Sequence, residues 1–108
     1  MAKSSNTKIS IIQQIDRKIS LDEISEGLGL DFAEFLDELE TIVEAGTKID
    51  IDYFVREIYD EEQINDMIDY FGTSEDGDLE SAIQELGHDY DEEDIRLMRV
   101  KFISDMGN

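Results

Sequence analysis

The residues that could perform chemistry are one histidine and a large number of carboxylates. The 108-residue sequence contains a single histidine, His88, and 29 acidic residues, but no cysteine. Neighbouring carboxylates such as Asp91 with Glu92, or Glu61 with Glu62, have the residue types needed for acid–base chemistry. Most carboxylates, however, fall at predicted helix caps, in first helical turns or on outward faces, where they favour solubility and the helix dipole. His88 follows a helix-stopping glycine with no nucleophile nearby, so we interpret it as a turn residue and predict no catalytic residue.

The sequence contains no metal-binding or nucleotide-binding motif with the required spacing. An EF-hand loop needs an oxygen ligand at its first position and Gly at its sixth. If Gly77 is the sixth residue, the first is Gly72, which has no ligating side chain. The phosphate-loop pattern G-x-x-x-x-G-K-[ST] does not occur either, and without cysteine there is no Cys-ligated zinc or iron–sulfur site. We therefore expect no metal or cofactor site in this chain.

The basic residues are few, and five of them form two groups. Arg17 and Lys18 are adjacent, whereas Arg96, Arg99 and Lys101 lie on the last predicted helix. The spacing places Arg96 and Arg99 on one face and Lys101 on a different flank. We regard all five as candidates for contact with phosphate or with a partner. The alternative is that they pair with local carboxylates and have no further role.

The segment 20–46 has the pattern of two helices joined by a tight turn. Ser20 with Glu23, and Asp31 with Glu34, have capping-box spacing, and each box is flanked by apolar residues in staple positions. Glycines between the two helices can adopt the left-handed conformation that ends a helix. This pattern predicts a helix-turn-helix.

The second helix of this unit does not have the composition of a DNA-reading helix. In DNA-binding proteins of this type, the outward residues of the second helix meet base edges in the major groove. The outward residues predicted here are all acidic, with no Arg, Lys, Asn or Gln: Asp31, Glu34, Asp37, Glu38, Glu40 and Glu44. We therefore interpret the motif as a structural or protein-contact device.

Apolar periodicity and repeated caps predict an all-α fold of about seven short helices. The predicted spans are 7 to 17 or 18, 21–28, 32–45, 50–58 with Asp50 as N-cap, 60–72, a sixth from Asp78 to Gly87, and a last helix after Asp91. The last helix has a predicted buried stripe of Ile95, Met98, Phe102 and Ile103. Residues 1–6 are predicted to be a disordered lead-in or linker end. A single domain follows at 7–108, with a helix-turn-helix-like unit at 7–58 and C-terminal helices at 59–106; residues 73–78 form a loop, and 48–52 are the only candidate for a small β-element.

Charge is the dominant property of the composition. The net charge is −20; four basic residues against Asp16 give residues 1–20 a charge of +3, which leaves −23 for the other 88. Such a field repels phosphate, since binding to nucleic acid depends on Lys and Arg. No apolar run approaches the ~18 residues of a membrane span, and the first residues lack the apolar core of a signal peptide. The prediction is a soluble, cytoplasmic chain.

Most of the sequence, from about Lys8 to Asn108, resembles the extreme C-terminal region of certain bacterial RecQ-family DNA helicases. The resemblance depends mainly on the segments LDEISEGLGLDF, AGTKIDIDYF and IRLMRVKFISDMGN. It implies an accessory domain of an ATP-dependent 3′–5′ helicase of recombination and repair, which tunes DNA-structure preference or recruits partners. The chain lacks the phosphate loop, the D-E-x-H box and the four-cysteine zinc element of such helicases, so no catalytic residue is carried over. ATP and magnesium are expected only in the helicase core of the parent protein.

The charge of the chain and its resemblance to RecQ-family helicases together indicate the expected partners. They are other domains of the parent helicase or a separate protein, with DNA engaged through the parent and weakly or not at all by this domain alone. No membrane partner is expected. The alternative is a free-standing acidic protein that binds other proteins or mimics the charge of DNA.

Overall fold

The computed structural model describes residues 2–74 and 78–107. These two stretches contain seven α-helices and no strand. The helices are α1 (Ala2–Asp16), α2 (Leu21–Gly27), α3 (Phe32–Glu44), α4 (Asp52–Ile58), α5 (Glu61–Thr73), α6 (Leu79–Leu86) and α7 (Glu92–Met106). The predicted all-α fold with an N-terminal helix-turn-helix unit is confirmed. None of the helices in the described stretches is both long and apolar enough to cross a membrane.

The first helix is longer than the sequence pattern predicted. It begins at Ala2, whereas the apolar pattern predicted a start at Thr7. The lead-in predicted for residues 1–6 stays a prediction. Residues 2–6 contain neither Gly nor Pro. The helical hydrogen bonding of the amphipathic turns that follow can therefore extend toward the N-terminus through this segment. Residue 1, and residues 75–77 of the predicted loop, lie outside the described residues.

Most helix starts follow the predicted capping pattern. Asp31 accepts from the Glu34 amide at 2.8 Å, and Glu34 accepts from the Asp31 amide at 3.0 Å. Asp60 forms the same reciprocal arrangement with Gln63 at the start of α5. At the start of α2 the hydroxyl of Ser20 accepts from the Glu23 amide at 3.4 Å, which is one half of the predicted box. These local bonds satisfy amides that have no partner inside the helix.

The predicted cap of α4 is wrong. The helix begins at Asp52, and its N-cap is Ile51, which makes no side-chain bond. Asp50 instead accepts from the Asp52 amide at 3.1 Å, which closes a turn just before the helix. The Asp side chain therefore shapes the approach to α4 and does not cap it.

The last helix is the centre of the fold. α7 packs against α3 on one side and against α5 and α6 on the other. The one-sided stripe predicted for it is incomplete, because helices surround α7 and bury most of its circumference: Ile95, Arg96, Leu97, Met98, Val100, Lys101 and Ser104 are all buried. Phe102 and Ile103, predicted as part of the stripe, are half-buried. The division at residues 58 and 59 stays a prediction.

The buried hydroxyl of Ser104, on α7, forms hydrogen bonds with the extended segment that follows α3. Ser104 donates to the Ile49 carbonyl at 2.7 Å and accepts from the Ile49 amide at 2.8 Å. One side chain thus satisfies both backbone groups of a residue that is 7% exposed. The candidate β-segment at 48–52 is accordingly a single extended piece of chain held by a helix, not part of a sheet.

Candidate functional site

The acidic face of α3 is partly covered by α7. Asp37, Glu40 and Glu44 recur at helical spacing along α3, and all three meet basic residues of α7. This is the second helix of the helix-turn-helix, whose outward face would have to be bare to enter a DNA groove. Part of that face is therefore an interhelical contact inside this protein.

Arg96 makes the strongest of these contacts. Its Nε and Nη2 atoms lie 2.9 Å from the two carboxylate oxygens of Glu40, and Nη2 also lies 2.6 Å from Asp37 Oδ1. Arg96 is 8% exposed, so its charge is compensated within the fold. Hydrogen bonding to Glu40, followed by that to Asp37, raises the pKa of Arg96 above its usual value, although burial acts in the opposite direction. A two-pronged Arg–carboxylate pair of this kind also fixes the geometry between α3 and α7.

The other two basic residues of α7 are engaged as well. Arg99 Nη1 lies 3.3 Å from Glu44, and Lys101 Nζ lies 2.6 Å from Asp52 and 2.8 Å from Asp105. Burial lowers the pKa of Lys101, but its hydrogen bonds to these carboxylates outweigh burial and leave the pKa raised. As predicted from spacing, Lys101 points to a different flank from Arg99. Phosphate contact by these residues stays a prediction, although a phosphate would have to compete with carboxylates already in place.

Arg17 and Lys18 lie apart from the α7 group, in the turn between α1 and α2. Both side chains are exposed. Lys18 has a φ of 61°, and its Nζ lies 5.8 Å from the centre of the Tyr53 ring. The Tyr53 hydroxyl donates to the Ile19 carbonyl, and burial, with a smaller contribution from Asp50, raises the pKa of Tyr53 to about 12. The five candidate cations thus form two separate groups, of which this one faces solvent.

The candidate acid–base residues lie on the surface, in a turn or at helix starts. His88 is exposed in the turn after α6, and the carboxylates of Glu61, Glu62, Asp91 and Glu92 are exposed at helix starts. Among the described residues, no group of three or more His, Asp or Glu side chains is placed to hold a metal ion.

A pocket that the sequence pattern did not predict lies where four helices meet. It has a volume of about 240 Å³, and its walls come from α2, α3, α4, the residue after α4, and α7. The lining residues are Asp22, Phe32, Phe54, Ile58, Tyr59, Glu93, Asp94 and Leu97. Four of these residues are apolar, and the other four provide three carboxylates and one phenol.

Two polar residues of this pocket, Tyr59 and Asp94, are joined by a hydrogen bond. The Tyr59 hydroxyl donates to Asp94 Oδ1, while Asp94 Oδ2 accepts from the Asp91 amide at 3.0 Å. Burial raises the pKa of Tyr59, and the hydrogen bond to Asp94 raises it further. In the sequence, Tyr59 precedes the N-cap Asp60, and this position indicates no contact with α7. Its tie to α7 joins residues 35 positions apart, which no local pattern indicates.

The first four helices have the order and turn of a helix-turn-helix domain. Residues 5–55 match the RecQ-1-like helix-turn-helix domain family. This segment is therefore a RecQ-1-like helix-turn-helix domain, and the predicted resemblance to RecQ-family helicases is confirmed for it. The match ends within α4, so α5, α6 and α7 lie beyond it. No curated protein matches the chain.

Proposed function

We propose that this chain is a non-catalytic accessory domain of a RecQ-like ATP-dependent 3′–5′ DNA helicase that acts in recombination and repair. The family match of residues 5–55 supports this assignment. In this proposal the helicase core of the parent binds ATP and magnesium, and the present domain holds no cofactor. Its contribution is to tune how the parent engages DNA or a partner.

We further propose that the domain works through protein contact and not by reading DNA. The observation that supports this proposal is the acidic outward face of α3 and its ion pairs with α7. All charged residues of α3 are carboxylates, and Asp37, Glu40 and Glu44 are joined to α7 by ion pairs. A groove-binding helix needs cationic or amide side chains aimed at bases and phosphates. The net charge of −20 adds a repulsion that the helix would have to overcome.

The experiment that tests this proposal measures binding of the domain to a labelled forked DNA at low and near-physiological salt. We expect no salt-sensitive binding, even at low salt. The informative variant is Arg17→Glu/Lys18→Glu, because these side chains are exposed. Lys48→Glu/Arg56→Glu makes the same change in net charge at two other exposed positions. Binding that the first variant loses and the second keeps would instead establish a phosphate-binding turn between α1 and α2.

The accessory role itself is tested in a RecQ-like helicase that carries this domain. Deletion of the domain should leave DNA-stimulated ATP hydrolysis intact, because no catalytic group of the core lies in it, and should change the preference among forked and duplex substrates or the response to a partner. Loss of ATP hydrolysis by a correctly folded deletion variant would contradict a non-catalytic role. Unchanged behaviour in every assay would contradict an accessory role.

The alternative function is a free-standing acidic protein that occupies the basic groove of another protein in place of DNA. The charge of −23 over residues 21–108 favours it. The reading frame upstream of Met1 separates the two proposals. Helicase motifs encoded there support the accessory domain, whereas a true start at Met1 supports the free-standing protein.

A further inference from the structure

The pocket between α2, α3, α4 and α7 combines apolar side chains with carboxylates at one place on the surface. We propose that it binds a short basic segment of another protein, with one apolar side chain inserted and flanking Lys or Arg residues paired with Asp22 and Glu93. A basic segment of this kind would be the partner that the accessory domain recruits, so the biological importance of this inference rests on the function proposed above. Binding itself can be measured without the helicase.

The apolar wall supplies the place for the inserted side chain. Ile58 is 51% exposed at the end of α4, which is unusual for a large aliphatic residue in this domain. Phe32 is half-buried, while Phe54 and Leu97 are buried behind it. At about 240 Å³ the pocket is smaller than the roughly 300–1,000 Å³ typical of small-molecule sites. It has room for about one or two amino-acid side chains, which is how a peptide anchor is held.

The carboxylates of the pocket supply the charge selection. Asp22 and Glu93 are exposed and make no ion pair within residues 2–74 and 78–107. Asp94 is engaged by Tyr59 and by a backbone amide, which together fix its position. Each of the three also lies in the first turn of its helix, where a carboxylate stabilises the helix dipole. Their grouping around an apolar pocket gives them an additional use, because a cationic flank beside an apolar anchor would satisfy both surfaces.

The same charges decide which occupant fits. Nucleic acid and other anionic ligands are repelled from a mouth lined by three carboxylates. A second copy of this chain also carries a net charge of −20 and presents few cations. A basic, partly apolar segment of a different protein is complementary in both respects, and the field of the whole domain would accelerate its encounter.

The test is a selection of short random peptides displayed on phage against the domain at near-physiological salt. We expect enrichment of peptides that combine a large apolar residue with one or more neighbouring Lys or Arg residues. For a selected peptide, Ile58→Ser should weaken binding about tenfold or more, since a central apolar contact is lost. Asp22→Asn/Glu93→Gln should weaken it about threefold to fivefold and reduce its salt dependence, in the range of exposed ion pairs.

Matched variants separate the pocket from general attraction to an acidic protein. Ile9→Ser removes an aliphatic side chain that is 53% exposed on α1, and Glu61→Gln/Glu62→Gln removes two exposed charges on α5. Both should leave peptide binding unchanged. Circular dichroism and melting temperature confirm that each variant is folded, and sedimentation of the free domain should show a monomer.

Three results would overturn the proposal. They are no enrichment over the starting library, selected peptides that bind the Ile58→Ser variant as well as they bind the parent domain, and equal losses in the pocket and control variants. A dimer that Ile58→Ser dissociates would assign the pocket to a second copy instead. None of these results bears on the helicase deletion experiment, so failure of this inference is distinguishable from failure of the accessory role.

Discussion

Arg96 is a cation held inside the protein by two carboxylates of another helix. We expect Arg96→Ala to lower the free energy of unfolding by about 2–3 kcal/mol, because Glu40 is left half-buried without its partner. This loss of stability should be at or below the lower limit seen when a buried ion pair is broken, because Asp37 is 71% exposed and water can solvate it. Urea denaturation followed by circular dichroism measures the change.

Arg99→Ala is the matched control, because it removes the same kind of side chain from the same helix. Its contact with Glu44 is longer and more exposed, so the expected loss is no more than about 1 kcal/mol. Equal losses in the two variants would show that the Arg96 cluster has no special importance for stability.

Tyr53 gives the stability of the domain a component that depends on alkaline pH. The pKa of Tyr53 is raised to about 12 in the folded protein, mainly by burial and in addition by Asp50, against about 10 in an unfolded chain. The stability from this difference is fully present below pH 10 and is lost as the pH rises from 10 to 12, because the unfolded state then releases the proton first. We expect the unfolding free energy to fall less over this interval in Tyr53→Phe than in the parent domain. Parallel pH profiles of the two proteins, measured by urea denaturation, would contradict the assignment.

At the scale of the elements, the turn between α2 and α3 depends on one of its two glycines. Gly29 has a φ of 73°, whereas Gly27 is the last residue of α2 and has helical geometry. Neither position would bring an added Cβ within 4 Å of another group, so backbone conformation alone decides the outcome. Gly29→Ala should destabilise the domain by about 1–2 kcal/mol. Gly27→Ala should stabilise it by about 0.5–1 kcal/mol, and thermal melts that move in the same direction for both would contradict this view of the turn.

The helices could be predicted from the sequence because their caps are local. The bonds of Asp31 and Asp60 span three residues, so their spacing is visible without knowledge of the fold. Asp50 was misassigned for the same reason: an Asp before an apolar pattern is compatible with a cap and with a preceding turn, and only the backbone conformation at Ile51 distinguishes them. The central position of α7 was missed because burial on several sides depends on which helices surround it.

The candidate site was less predictable than the fold. The sequence identified Arg96 as a candidate contact residue, but its partners are 56 and 59 positions away, so pairing and ligand contact were equally compatible with the pattern. The pocket brings together residues from four helices, and no periodicity connects them. Ile58 is the one lining residue whose sequence position suggests an exposed apolar contact, because it is a large apolar residue at the end of a short helix and is followed by acidic sequence.

At the scale of the whole molecule, like charges dominate the surface. The net charge is −20, so moderate salt should raise the melting temperature by screening the repulsion between like charges. We expect a rise of roughly 5 °C, equivalent to about 1 kcal/mol in a domain of this size. A salt series followed by circular dichroism measures it, and Glu61→Lys/Glu62→Lys should show a smaller rise. A melting temperature that falls or stays level with salt would mean that attractive pairs outweigh repulsion.

The central position of α7 also sets the order of events during protein synthesis. The ribosome makes α3 before α7, with roughly 60 residues between the end of one helix and the end of the other. At about 5–20 residues per second, the side of α3 that α7 covers stays bare for roughly 3–12 s. Throughout that interval the nascent helix-turn-helix displays its uncompensated carboxylates, and it acquires its final surface only when Arg96 and Arg99 emerge.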